Sequence, residues 1–273
     1  MIDNIRVGNR IAFLRKQNDF TQEELAVKLN ITAQAISKWE NGHTLPETAL
    51  LPLLSKHLNS SIDSILMPTS VEVGDVITFG DFQWRVLDVD GTRALLITEY
   101  VIEERAFHSV NDITNKITWE HSDIRKYLNG EYYDSFTPTD QAKIIETNVI
   151  NPGNPWYGKR CCDDTLDKIF LLSYEEVVRY FGDSGALEMC RGVDMGYGCP
   201  LGDAVKDEYN KARSVLNLDG FNAWWWLRSP GGPRDHTDND HVTAGSVDNI
   251  IWICGDDICK EDGGVRPAMW VNL

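Results

Sequence analysis

No stretch of this chain approaches the ~20 apolar residues that cross a bilayer. Its opening residues, MIDNIRVGNR, hold no apolar signal-peptide core. A cytoplasmic protein with no membrane partner is expected. Cysteine is sparse, six in 273 residues, too few for a disulfide framework in a chain of this length. Cys161 and Cys162 are adjacent, Cys190 and Cys199 bracket the glycine-rich CRGVDMGYGC, and Cys254 and Cys259 flank GDDI. No pair has the CxxC spacing of a zinc knuckle, so buried, reduced thiols and no metal are expected. Also missing are a Ser/His/Asp nucleophile motif, a phosphate-binding glycine loop and a dinucleotide fingerprint. No catalytic residue, no cofactor and no enzyme are therefore expected. There is no internal repeat and no low-complexity tract.

Positive charge is in short supply as well. Against 42 Asp and Glu stand 26 Lys and Arg, a formal net charge of −16. Taken whole, such a chain repels a polyanion. The charge is unevenly placed, however. Residues 1–70 hold seven basic and seven acidic side chains, and the remainder carries the whole −16. Charges beyond about 10 Å are largely screened at moderate salt, so the neutral first segment is not repelled as the total implies. The acidic remainder is a poor nucleic-acid surface. The length suits two domains, and 42% hydrophobic with 25% charged residues is ordinary for a globular protein.

The first segment is patterned for helices. Val7, Ile11 and Leu14 stand at helical spacing, and this helix is expected to end near Asn18. Thr21 and Glu24 form a capping box, and Leu25, Ala26 and Leu29 give the second helix its apolar face. Asn30 suits a left-handed C-cap. Thr32 is the next N-cap. From it, Ile36 and Trp39 face one way, and Gln34, Ser37, Lys38 and Asn41 face the other at i, i+3, i+4 and i+7. ENGHTLP ends that helix. Pro52 fits a first turn, so a fourth helix is expected from about Leu51, and Ser61 caps a fifth through Leu66.

TQEELAVKLNITAQAISKWENG, followed by LP and LNSSIDSIL, closely resembles the phage-repressor helix-turn-helix of the Xre (Cro/C1) family. The resemblance covers about the first quarter of the chain. It implies an all-α five-helix domain over 1–67, with double-stranded DNA as partner and the third helix in the major groove. It places Ala33, Gln34 and Lys38 at base edges. Gln22, Ser37, Asn41 and His43 fall at phosphates or neighbouring bases, beside the N-cap Thr32. It maps the family's buried ion pair onto Arg15 and Glu40. It also implies a homodimer, since such modules read two half-sites about one helical turn apart. The plain alternative is a five-helix module that only holds a partner.

LMPTSVEVGD separates the parts, with 68–72 as linker. From about Val76, residues alternate as in strands, and Asp90-Gly91 between two such runs signals a hairpin. Ser122 caps a helix over DIRKYLN, Thr139 one over DQAKII, and Ser173 one over YEEVVRYF. KIFLLS, WWWLRSPGG, HVTAGSV and NIIWIC read as strands. The order is α+β. FGDFQWRVLDV, WEHSDIRKYLN, DKIFLLSYEEV, WWWLRSPGG and GGVRPAMWV resemble a poorly characterised bacterial domain, over nearly all of 73–273. WWLRSPG followed by GVRPA is also similar to the C-type-lectin-like fold. Formylglycine-generating factors and retroelement-diversified variable proteins share that fold. The resemblance implies a scaffold and not a sugar, a calcium ion or an activity.

Three features of this part are candidates for chemistry. Strand alternation places Trp224, Trp226 and Arg228 on one face, opposite Trp225 and Leu227. One face is core, and the other is a candidate platform for an unknown small molecule or protein. Arg228 and Arg266 are candidates to clamp an anion, or else are buried and bonded to carbonyls. PRDHTDNDH gathers carboxylates and imidazoles without EF-hand spacing, which fits a solvated loop better than a metal site. The reading is a sequence-specific transcriptional regulator whose second domain senses a ligand, binds a partner or holds a dimer. The alternatives are a retroelement-type display protein and a formylglycine-generating-type oxidoreductase.

Overall fold

In a computed structural model of the chain, the structure describes residues 4–66, 71–110, 117–156, 162–182, 184–185, 204–232 and 242–273. The chain packs as two compact units. The first takes Met1–Asp75 together with Val86–Leu95 and Val271–Leu273; the second takes Val76–Arg85 and Leu96–Trp270. A cut at 68–72 separates the two sequence motifs. In the packing, a hairpin tip and the last three residues join the N-terminal helices.

Helices α1 (Asn4–Gln17), α2 (Gln22–Leu29), α3 (Ala33–Glu40), α4 (Leu51–His57) and α5 (Ile62–Leu66) form where local chemistry directs them. The Thr21 hydroxyl accepts from the Glu24 amide, and the Glu24 carboxylate accepts from the Thr21 amide, closing the capping box. Asn30 ends α2 at φ 54°, a conformation Asn tolerates better than most residues. Thr32 caps α3 through the Ala35 amide. One core joins these helices: Val7, Ile11, Leu14, Leu25, Leu29, Ile36, Trp39, Leu54, Leu58 and Ile65 are all buried. Each large aliphatic side chain so buried stabilises by about 1.5–3 kcal/mol.

Gly8 sets how closely α1 lies on α3. A methyl group there would strike the Trp39 carbonyl oxygen and stand 2.9 Å from that of Glu40. Both obstacles are backbone, so the helices would have to move apart. Alanine is the better helix former by about 1 kcal/mol, yet Gly8→Ala is expected to destabilise. A lowered urea midpoint of the first unit checks this, and a raised one would contradict the close approach.

The remaining strands begin with β1 (Val76–Phe79), β2 (Phe82–Asp90), β3 (Arg93–Thr98) and β4 (Glu103–Glu104). They continue with β5 (Ile144–Ile145), β6 (Thr147–Val149), β7 (Thr165–Asp167), β8 (Ala204–Val205), β9 (Val215–Leu216) and β10 (Asn222–Ala223). The last are β11 (Trp225–Pro230), β12 (Thr243–Asp248), β13 (Ile250–Asp257), β14 (Gly264–Val265) and β15 (Ala268–Asn272). They make a five-stranded sheet in the order β1-β2-β3-β15-β5 and a six-stranded one in the order β4-β14-β11-β12-β13-β8. Two two-stranded pairs, β9 with β10 and β6 with β7, complete them. The predicted hairpin is present: Asp90 ends β2 and Gly91 turns at φ 64°. Between the strands lie α6 (Asp123–Tyr127), α7 (Pro138–Gln141), α8 (Tyr174–Phe181) and α9 (Asn210–Arg213). Ser122 caps α6 and Ser173 caps α8, as their sequences require. Among the described residues no helix is long and apolar enough to cross a membrane.

Two local expectations are corrected. Thr137, not Thr139, caps α7; its hydroxyl accepts from the Asp140 amide at 3.2 Å. Pro138 then occupies the first helical position, where its missing N–H costs nothing. The helix stops at Gln141, and Ile144–Ile145 turn into β5. KIFLLS is buried from Ile169 onward but is not a strand. Phe170 bridges Ala268 in both directions, while the Lys168 and Ile169 amides donate to the Asn129 side-chain oxygen instead of a ladder. Asn129 can reach them because α6 continues as a π-helical turn, Leu128–Tyr132.

Acid sensitivity is expected near α6. Burial pushes the Asp123 carboxyl up, but the hydroxyl and amide of Ser109, with Lys126 and His108 nearby, hold it down at about 2. A carboxylate held below its unfolded value, about 3.9, stabilises the fold above that value. The contribution is lost as pH falls toward the folded pKa. Melting temperature followed from pH 5 to 2 should fall less steeply in Asp123→Asn than in the parent chain.

Candidate nucleic-acid interface

The α2–turn–α3 segment presents a polar edge. Gln34 and Lys38 are exposed, one helical turn apart. Among the described residues neither side chain has a hydrogen-bond partner. A free Gln amide is suited to pair with adenine N6/N7, and a Lys ammonium with guanine O6/N7. Ala33 is partly buried and packs on the helical core. Thr32 is exposed, but its hydroxyl is spent on the cap. His43 is exposed just past α3.

Ser37 and Asn41 are tied together. The Asn41 amide donates to the Ser37 carbonyl at 2.7 Å and to its hydroxyl at 3.3 Å. Gln22 is partly buried, and its side-chain amide donates to Glu40 Oε2 at 2.7 Å. The same carboxylate accepts from Arg15 Nε at 2.6 Å and Nη2 at 3.0 Å, while Arg15 Nη1 donates to the Phe20 carbonyl at 2.7 Å. The Arg15–Glu40 pair therefore exists, and Gln22 adds a third member that sequence reading missed. Glu40 thereby joins α1, α2 and α3 and fixes the reading helix to its support. Donating to the Glu40 carboxylate, opposed by burial, raises the Arg15 pKa, and the guanidinium remains charged.

The Trp224/Trp226/Arg228 platform is corrected. Trp226 is fully buried: its Nε1 donates to the Arg105 carbonyl at 2.8 Å, and its ring meets Phe107 edge-on. Trp225 is also fully buried, against Phe181 of α8. Arg228, 3% exposed, grips Glu176 of α8 with both terminal nitrogens and donates to the Leu171 and Ile150 carbonyls at 2.7 and 2.8 Å. The β11–β12 register shifts between Trp226 and Pro230, so strict alternation fails along this strand. Both faces of β11 are interior from Trp225 to Ser229, and Trp224 just before the strand and Pro230 at its end are partly exposed. Arg266 is interior too, donating to the Thr98 carbonyl at 3.0 Å and stacked near Trp225 and Phe181. Burial lowers its pKa to about 10. Neither arginine is an open anion clamp.

Pro233–His241, Cys161, Cys190 and Cys199 lie outside the described residues. Cys254 is buried, and burial with Asp257 nearby raises the Cys259 thiol, away from a reactive thiolate. Among the described residues no three His, Cys, Asp or Glu side chains gather to hold a metal.

Residues 91–273 match the family model described as a domain of unknown function, DUF6273. The chain belongs to the DUF6273 family. Ahead of the DUF6273 segment, residues 11–65 match the helix-turn-helix model. The N-terminal segment is similar to the HTH-type transcriptional activator BcrR of Enterococcus faecalis, 42% identical over 59 residues, which is 22% of this chain and 29% of that protein. It is also similar to the HTH-type transcriptional regulator DicA of Escherichia coli K12, 38% identical over 72 residues, which is 26% of this chain and 49% of that protein. The chain thus spans less than half the length of either relative. Among solved structures, the P22 c2 repressor in complex with a synthetic operator is 35% identical, with 23% of this chain and 96% of that chain covered at a TM-score of 0.23. These likenesses concern the helices, and the DUF6273 segment stands apart from them.

Proposed function

We propose that this chain is a sequence-specific regulator of transcription that reads double-stranded DNA through α3. One observation carries the reading. Among the described residues, Gln34 and Lys38 project without a hydrogen-bond partner from a helix that is otherwise locked in place by the Arg15–Glu40–Gln22 network. Rigid presentation of unsatisfied donors is what direct base readout requires. The helix-turn-helix match over 11–65 and the regulators it resembles support the same reading. Two copies acting on half-sites about 34 Å apart would fit the general geometry of such modules. In this reading the protein works in the cytoplasm and is not an enzyme. The DUF6273 segment serves as a sensing or interaction domain of C-type-lectin-like fold. The last strand, β15, sits between β3 and β5, which supports such a looped-back scaffold.

The test is a pull-down of fragmented genomic DNA with the full chain, followed by titration of the enriched duplex and a scrambled control. Enrichment of one palindromic sequence, bound at least a thousandfold more tightly than the control, is expected. Equal affinity for both at every salt concentration would remove sequence-specific reading.

A further inference from the structure

The first compact unit contains more than helices. Its members Val86–Leu95 are the tip of the β2–β3 hairpin. Arg10 on α1 is half-buried, and its Nη2 donates to the Ser64 hydroxyl on α5 at 2.8 Å and to the Val89 carbonyl on β2 at 3.0 Å. The Ser61 hydroxyl, at the start of α5, donates to Asp90 Oδ1 at 3.1 Å. A methyl group on Gly91 would stand 3.4 Å from the Ser64 amide nitrogen and 3.5 Å from the Asp63 Cβ. The hairpin turn therefore lies flat on α5.

A strand carbonyl ordinarily serves the sheet; here that of Val89 accepts from a side chain on α1. Burial lowers the Arg10 pKa, and the nearby Asp88 and Asp90 carboxylates oppose that loss. The same helix carries Gly8, which touches the end of α3, and Arg15, which grips Glu40. Arg10 thus stands on the element that supports the reading helix. β2 and β3 run on from this unit, at Arg85 and Leu96, into the second. The chain itself is the path between them.

We infer that the β2–β3 turn is a clamp on the reading module, with Arg10 as its latch. A displacement along β2 or β3 loosens Arg10 from Val89, frees α1 and alters DNA affinity without touching the reading face. Arg10 is a positioning residue in this scheme. The clamp does not depend on DNA reading, but its consequence for affinity does. A shared two-state element has to be shown by coupling and not by proximity.

The experiment compares the full chain with Arg10→Met, Asp90→Ala and the double variant by hydrogen–deuterium exchange. Release of one docked turn should speed exchange in both 62–66 and 86–95 about tenfold in either single variant. The double variant should add nothing, and 243–257 should be unchanged. Faster exchange confined to 4–17 in Arg10→Met, or additive effects in the double variant, would overturn the clamp. Asp90 is partly exposed, so Asp90→Ala keeps the question decidable if Arg10→Met does not fold. A second arm measures anisotropy with a random 20-base-pair duplex. A shift of fivefold or more in both single variants is expected. Wild-type binding that neither variant changes would overturn the latch's control of DNA affinity. A wild-type chain that binds no duplex would sink the DNA reading, with the exchange arm still deciding the clamp.

Discussion

Arg228→Met is expected to destabilise the second unit by about 3–5 kcal/mol, the usual cost of breaking a buried ion pair from one side. The melting temperature should fall by roughly 10 °C. The loss has several parts. Methionine fills much of the volume but donates nothing, so the buried Leu171 carbonyl and the part-buried Ile150 carbonyl each lose a donor. Glu176 loses a two-nitrogen partner. That carboxylate also closes the capping box of α8 by accepting from the Ser173 amide at 2.8 Å, so the strain reaches the helix start. Arg228→Lys keeps the charge without the planar fork and should fall between the two. Trp224→Ala, at the partly exposed end of the same motif, should cost far less. A platform for ligand would give the reverse pattern, with Arg228→Met folding normally and only binding lost. Near-ultraviolet circular dichroism through a thermal melt separates the two, and an unchanged midpoint in Arg228→Met would restore the ligand face.

The helical part was legible because its signals are local. Thr21 and Glu24, Asn30, Thr32 and Ser61 act within three or four residues of themselves, and each behaves as its neighbours demand. The DUF6273 segment was legible as elements and not as surfaces. Alternation along WWWLRSP assumes one covered face and one open face, whereas β11 is covered on both. Its covers, Phe107 and Phe181, come from far along the chain, and nothing in the motif announces them. The same distance hides the Arg10–Val89 bond, 79 residues apart, and so the inclusion of a hairpin tip in the first unit. Thr139 failed for a local reason: Pro138 makes Thr137 the better cap.

Gln34→Ala and Lys38→Ala are each expected to cost about 1–3 kcal/mol on the cognate site, and the pair together up to a thousandfold or more in affinity. Both side chains are exposed and, among the described residues, without a hydrogen-bond partner, so melting curves should not move. A loss of binding would then be a loss of recognition and not of folding. Base preference should relax only at the positions each residue reads. Gln22→Ala should behave differently. Its amide serves Glu40, so its removal loosens the seating of α3 and should weaken all duplexes alike, with a small drop in stability. Salt dependence divides the last two possibilities for Lys38. If Lys38 rests on a phosphate, Lys38→Ala lowers the salt slope by about one and leaves sequence preference intact. If it reads a guanine, preference relaxes at one position. Alanine at both 34 and 38 with neither affinity nor preference changed would mean that α3 is not the reading helix.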